Sequence, residues 1–251
     1  MDEWRSRTPV MSVQIGAVLE RHSVTVGPRY LDSLRVLDSD SYLPNSRLMY
    51  EINGAMLAEP EVAARRFARH SRHESSGSRF IEAVAERFAD DEDLRERLRV
   101  HARDEARHCL MFAALADRFA GGTPHGGDAP PVDDDATIDS FNGDLTNFLI
   151  ATHTAEVRNL ALLHQYTRIL SASTDPRSTR ILHVIGSVHE DESRHVAYTA
   201  DYVSRALESN SDAPALFEAY NENYVRDSWS EVSMICADLA RHASGVSVDV
   251  E

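Results

Sequence analysis

The pentad DEARH at residues 104–108 returns almost unchanged as DESRH at residues 191–195. Both copies have the form D-E-x-R-H, and coincidence is a poor explanation for such a repeat in a chain of 251 residues. Glu and His three positions apart project from the same face of an α-helix. A carboxylate oxygen and an imidazole nitrogen from one pentad can therefore reach the same metal ion. The repeat predicts two helices that each offer a Glu and a His to a metal site.

The sequence around the pentads has the pattern of long helices. Apolar residues recur three and four positions apart with few breakers, and shorter helices are expected in residues 10–57. Asp175 is expected to cap one long helix and Pro176 to open it. The five long helices are predicted at about residues 60–89, 92–119, 139–170, 176–207 and 213–242.

The lengths of the connections predict how these helices are arranged. The turns after the first and third long helices are short, so each pair should form an antiparallel hairpin. The segment 121–137 contains Gly-Gly, Pro-Pro and three successive Asp residues, and it is long enough to cross between the hairpins. We therefore predict an all-α fold in a single domain over residues 1–251. Its core at about 60–207 would be a ferritin-like four-helix bundle, with the N-terminal helices and a fifth long helix added to it.

Composition excludes several other classes of protein. The net charge is −15, which argues against a nucleic-acid partner because there is no excess cation to neutralise phosphates. The chain has no Lys, so neither a Schiff-base lysine nor a P-loop can be built. Its two cysteines, Cys109 and Cys236, cannot form a disulfide scaffold or a four-cysteine site. The longest uncharged stretch, 8–19, is too short to span a membrane, and the first residues do not resemble a secretory signal, so a cytoplasmic location is expected.

Hairpin symmetry predicts the remaining metal ligands. Residues at the same height in an antiparallel helix pair are equidistant from the turn. Glu74 and Glu105 are centred near residue 89.5, at the first predicted turn, and Glu156 and Glu192 are centred on residue 174, at the second. Carboxylates from all four helices would then face one site. The predicted ligands are Glu74, Glu105, His108, Glu156, Glu192 and His195.

The tandem pattern resembles the E-x28–37-D-E-x-R-H signature of the p-aminobenzoate N-oxygenases, which are ferritin-like di-iron oxygenases. Here 29 residues separate Glu74 from Asp104 and 34 separate Glu156 from Asp191, and both gaps fit the signature. The resemblance covers about residues 60–207. It implies that the six predicted ligands bind two iron ions, with manganese as the alternative metal. It also implies that Asp104 and Asp191 orient the ligating histidines of the opposite pentads, His195 and His108 respectively.

The resemblance implies a function as well. The expected activity is that of a non-haem di-iron oxygenase, which activates O2 to oxygenate a small organic molecule, with N-oxygenation of an amine in a biosynthetic pathway as its specific form. An external electron donor would be required, and a homodimer is compatible with this class. The alternative is a ferritin- or rubrerythrin-like protein that oxidises or handles iron. A third interpretation is a structural bundle in which the pentads form only the ion pairs Asp104–Arg107 and Asp191–Arg194.

One position departs from the N-oxygenase pattern. Those enzymes carry a seventh ligand, a His four residues before the Glu of the second pentad, where this chain has Val188. His101 stands four residues before the Glu of the first pentad instead. His101 could be a seventh ligand in a mirrored role, or it could be a hydrogen-bonded or exposed histidine with no part in the site.

Overall fold

The computed structural model of the protein describes residues 9–39, 42–88, 91–121 and 144–244. Within these ranges the chain is helical and contains no β-strand, which confirms the predicted all-α class. Two short 3-10 helices, Leu34–Asp38 and Leu43–Asn45, connect the second and third α-helices. The α-helices of the described residues are α1 (Met11–Arg21), α2 (Pro28–Ser33), α3 (Arg47–Ala58), α4 (Pro60–Phe88), α5 (Glu92–Phe119), α6 (Leu145–Ala172), α7 (Ser178–Ser209) and α8 (Ala213–Ser244).

The helix ends follow local chemistry. Asp91 caps α5 by accepting the backbone N–H of Asp93, and α5 ends before Gly121, which adopts a positive φ of 69°. The structure begins α7 at Ser178, two residues after the predicted Pro176, because the backbone N–H of Ser178 donates to the carbonyl oxygen of Asp175 and closes a turn ahead of the helix. Except for Gly121, the predicted linker lies outside the described residues, as do the predicted first residues of α6.

Helices α4 and α5 pack against each other as an antiparallel hairpin. Ser78 Oγ donates to the carbonyl oxygen of Ala102 at 2.8 Å, and Ser71 Oγ lies 3.4 Å from Cys109 Sγ. Both pairs are centred on residue 90, half-way between 78 and 102 and between 71 and 109. The hairpin register predicted for Glu74 and Glu105 is therefore confirmed.

Helices α6 and α7 are joined by a short turn and also run in opposite directions. His153 Nδ1 lies 2.9 Å from Thr199 Oγ1, and His195 Nδ1 lies 3.9 Å from Glu156 Oε2. These contacts are centred near residue 176, about two residues beyond the centre that the sequence predicted. Glu156 consequently lies level with the turn of α7 that carries both Glu192 and His195.

The described helices divide into two compact units. One unit comprises Met1–Asn53 and Thr146–Val232, and its core contains side chains of α1, α2, α6 and α7 together with Phe217 of α8. The other unit comprises Gly54–Leu145 and Ser233–Glu251. There Phe67 of α4 stacks on Phe112 and Phe119 of α5, with ring centroids 6.1 and 5.5 Å apart. Burial of such a side chain contributes roughly 1.5–3 kcal/mol, so helix packing stabilises each unit.

None of the described helices combines the length and the apolar character that crossing a lipid bilayer requires.

Candidate metal centre

The first pentad directs two side chains inward from α5. Glu105 and His108 are both buried, and His108 Nδ1 lies 3.8 Å from Glu105 Oε1. One turn earlier, His101 is fully buried and its Nε2 atom lies 3.1 Å from the same carboxylate oxygen. Residues three and four positions apart share one helix face, so the three side chains converge because of their spacing alone. On α4, the predicted ligand Glu74 is also buried.

The second pentad repeats this arrangement on α7. His195 Nδ1 lies 3.4 Å from Glu192 Oε2 and 3.9 Å from Oε2 of Glu156, which projects from α6. All three side chains are buried. In both pentads it is the Nδ1 atom that lies nearest the carboxylate three residues earlier.

These side chains form two groups with metal-binding spacing. Within each group one donor atom from every residue lies within 4.8 Å of the donor atoms of the others. The two-histidine group consists of His101, Glu105, Glu156 and His195. The one-histidine group consists of Glu74, Glu105, His108 and Glu192.

Every one of the six predicted ligands therefore belongs to one of two buried groups that could hold metal ions. Glu105 belongs to both groups, as a carboxylate that bridges two ions would. His101 joins the group that contains Glu156 and His195, so it is not an exposed histidine. That these residues bind a metal, and which metal, stays a prediction.

The donor separations suit a first-row metal ion. Ligands about 2.1 Å from an ion and about 90–110° apart around it lie roughly 3.0–3.4 Å from each other. The 3.1 Å between His101 Nε2 and Glu105 Oε1 falls in that range, whereas the 3.9 Å between His195 Nδ1 and Glu156 Oε2 of the same group is somewhat longer. An ion could bind between His101 and Glu105 with little movement of the side chains, and His195 and Glu156 would approach each other around it.

The charge of the groups also fits divalent cations. Glu74, Glu105, Glu156 and Glu192 would carry four negative charges into a buried region if all were ionised. A buried carboxylate without a compensating partner is strongly disfavoured. Two divalent cations would balance the four charges, and oxygen and imidazole donors match iron or manganese. The donor set therefore fits the pair of metal ions that the resemblance implies.

The remaining residues of each pentad form an ion pair on the same helix. Arg107 Nη2 lies 2.8 Å from Asp104 Oδ1, and Arg194 Nη2 lies 2.5 Å from Asp191 Oδ1. The charge-pair interpretation of the pentads is thus correct for Asp and Arg, while Glu and His face the buried groups. The predicted role of Asp104 and Asp191 in orienting the opposite histidines stays a prediction.

A partly buried ion pair is formed by Arg158, two residues after Glu156 on α6. Arg158 of α6 approaches Glu231 of α8 at 2.7 Å, and the Arg158 guanidinium carbon lies 5.7 Å from the centre of the Tyr224 ring. Burial raises the pKa of Tyr224 to about 12, with Arg158 lowering it and Glu156 raising it further. Tyr224 is thus a neutral hydroxyl within electrostatic reach of a candidate ligand.

The sequence did not single out a buried hydrogen-bonded chain beside the second pentad. Tyr30, His153 and Thr199 are all fully buried and bond to one another. A signal was present, because His153 precedes Glu156 by three residues and Thr199 follows His195 by four. Helical spacing alone could not show that these faces meet Tyr30, which is distant in sequence.

Comparison of the chain with known protein families, with curated proteins and with solved structures finds no match in any of the three.

Proposed function

We propose that this protein is a non-haem di-iron oxygenase, which uses O2 to oxygenate a small organic molecule. The observation that supports this most strongly is the pair of buried His/Glu groups that share Glu105. A Glu-x-x-His pair from each pentad, with Glu105 as the shared carboxylate, and one further Glu from each of the two other helices make up the donor set of a carboxylate-bridged metal pair.

The proposed architecture is a ferritin-like four-helix bundle made of α4, α5, α6 and α7. Two features support it: the α4–α5 register is centred on residue 90, and the α6–α7 contacts are centred near residue 176. Both hairpins bring their Glu and His residues to corresponding heights. The chain between Gly121 and Asp144 is long enough to be the crossover that this topology needs.

Each side chain has a definite task in this proposal. Glu74, His108 and Glu192 would hold one iron, His101, Glu156 and His195 the other, and Glu105 would join the two. A reduced iron pair supplies the electrons that activate O2 when it is bound. The protein directs the histidines at the ions, and it excludes bulk water because every one of these side chains is buried. Electrons for a further turnover would come from an external donor.

The finer proposal is N-oxygenation of an amine, and His101 supports it. In the N-oxygenases that this sequence resembles, the additional His precedes the Glu of the second pentad. Here it precedes Glu105 of the first pentad, and it groups with Glu156 and His195 from the other hairpin. The internal two-fold symmetry of such a bundle makes this the mirror image of the N-oxygenase arrangement.

The test begins with anaerobic Fe(II) loading of the purified protein, followed by metal analysis and exposure to O2 with a panel of aryl amines and acyl substrates. Two irons per chain and an oxygenated organic product would support the proposal. Glu105→Ala should lose the iron, whereas Glu96→Ala, which removes an exposed Glu on the same helix, should not. Accumulation of many Fe(III) ions per chain would instead identify an iron-handling protein. Failure to bind any metal would leave a structural bundle.

A further inference from the structure

Three buried side chains form a hydrogen-bonded chain next to the two-histidine group. The Tyr30 hydroxyl lies 2.9 Å from His153 Nε2, and His153 Nδ1 lies 2.9 Å from Thr199 Oγ1. The Thr199 hydroxyl in turn lies 2.6 Å from the backbone carbonyl oxygen of His195. All three side chains are fully inaccessible to solvent. The chain therefore ends on the backbone of a proposed metal ligand.

The direction of these bonds follows from what each group can donate. Thr199 has one hydroxyl proton, and the carbonyl oxygens of His195 and Val196 near it can only accept. Thr199 must therefore accept from His153, which places the imidazole proton on Nδ1. The Nε2 atom is then an acceptor, and the Tyr30 hydroxyl donates to it. Burial lowers the pKa of His153 to about 3, so the ring stays neutral in this one tautomer.

The chain connects the helix turns that carry two of the proposed ligands. His153 lies three residues before Glu156 on α6, and Thr199 lies four residues after His195 on α7. The bond between His153 and Thr199 holds these turns at one separation and in one register. The ring is held on both sides, since Thr199 requires the proton on Nδ1 and Tyr30 donates to Nε2.

Tyr30 is itself held firmly in place. The backbone N–H of Gly27 donates to Ser204 Oγ at 2.7 Å, and Arg29 Nη1 donates to the carbonyl oxygen of Leu207 at 3.0 Å. A Cβ atom at Gly27 would come within 2.6 Å of the Glu208 carboxylate, so α2 begins close against the end of α7. Helix α2, which carries Tyr30, therefore packs against α7, the helix that carries the second pentad.

We propose that Tyr30 is a positioning residue for Glu156 and His195 and acts through His153 and Thr199. This inference rests on the proposed function, since it concerns residues that are proposed to bind metal. Tyr30 does not touch the metal donors. By donating to Nε2 it holds the His153 ring in place and so, through the bond to Thr199, the distance between two ligand-bearing turns. The N-terminal segment thereby controls the affinity of the two-histidine group for its ion.

The first arm of the test is a titration of the apo protein with Co(II), followed by visible absorption. Tyr30→Phe and Thr199→Val should each weaken the binding of one of the two ions by about 10–100-fold, the effect typical of residues that orient metal ligands. The affinity for the second ion should change much less than the affinity for the first. Thr199→Ser keeps the hydroxyl and should restore binding to within a few-fold of wild type.

The matched control is Tyr42→Phe. Tyr42 is another buried tyrosine of the N-terminal segment, and its hydroxyl has no hydrogen-bond partner among the described residues. Its removal should leave both Co(II) affinities unchanged. Unaltered binding in Tyr30→Phe, or equal loss in Thr199→Ser and Thr199→Val, would overturn the inference. Helical content measured by circular dichroism would show that each variant is folded.

The second arm uses the apo protein and does not depend on metal. Nitrogen NMR of the histidine rings should show His153 protonated at Nδ1 and unprotonated at Nε2. In Tyr30→Phe the Nε2 resonance should move towards that of an imidazole nitrogen without a hydrogen bond, because its donor is gone. A proton on Nε2 in the wild-type protein would overturn the chain as described. Wild-type protein that binds no Co(II) would refute the proposed function, whereas normal wild-type binding with an unaffected Tyr30→Phe would refute only the role of Tyr30.

Discussion

The Nε2 atom of His101 lies 3.1 Å from the Oε1 atom of Glu105, one helical turn further along α5. Because His101 belongs to only one of the two groups of candidate ligands, the groups differ in their donor atoms. The group that includes His101 has two imidazoles and two carboxylates, whereas the other has one imidazole and three carboxylates. Imidazole is the softer donor, so the two sites should differ in affinity and in metal preference.

We expect His101→Ala to lower the affinity for one metal ion by at least about tenfold and to leave the affinity for the other close to that of wild type, because His101 belongs to only one group. Calorimetric titration with Co(II) or Zn(II) would resolve the two steps. His164→Ala is the matched control, since His164 lies on α6 outside both groups. Identical isotherms for His101→Ala and wild type would show that His101 is not a ligand.

Glu105→Ala should abolish the binding of both ions, because only Glu105 belongs to both groups. His195→Ala should lower mainly the affinity for one ion, because His195 belongs to a single group. Neither substitution should unfold the protein, since the helices bury their apolar faces independently of the site. Metal analysis and circular dichroism of the purified variants check the two statements. Loss of a single ion in Glu105→Ala would contradict the bridging role.

Gly77→Ala should stabilise the protein by roughly 0.5–1 kcal/mol, because glycine is a poor residue for a helix interior. A Cβ atom at this position would lie 3.9 Å from Glu105 Oε2, which is an ordinary van der Waals contact. Urea unfolding of the apo protein measures the change. Gly186→Ala is the control on α7, where a Cβ atom would meet nothing within 4 Å. Stabilisation at Gly186 with destabilisation at Gly77 would indicate strain against the Glu105 carboxylate.

Acid should destabilise the apo protein through His153. Burial holds the pKa of His153 near 3 in the folded protein, although Glu156 acts to raise it, whereas the unfolded chain should titrate near ~6.5. Between these values the unfolded chain binds a proton that the folded protein does not. The resulting stability is complete above pH ~6.5 and is lost as the pH falls towards 3.

The free energy of unfolding of wild type should therefore fall by up to ~1.4 kcal/mol per pH unit more steeply than that of His153→Asn in this window. Urea unfolding at a series of pH values from about 6 to about 4 measures the two slopes. His183→Asn, which replaces an exposed histidine of α7, should retain the wild-type slope. Equal slopes for wild type and His153→Asn would mean that His153 becomes protonated in the folded protein.

Much of the candidate site was predictable because its spacing is local. Glu and His three residues apart meet on any α-helix, so each pentad specifies its own convergence. The register of α4 and α5 was also accessible, since a short turn leaves an antiparallel pair few alternatives. The start of α7 was less accessible, because residues 175–178 close a turn that periodicity does not distinguish from the first turn of the helix.

Sequence by itself determined the all-α class, the long helices and the inward direction of the pentads, since these depend on periodicity and on contacts within a few residues. Only the tertiary structure decided that His101 joins Glu156 and His195, and that Tyr30 completes the chain to His153 and Thr199. These contacts join residues far apart in the chain. Their geometry depends on how whole helices pack, and helical periodicity carries no information about which distant side chain will lie opposite a given face.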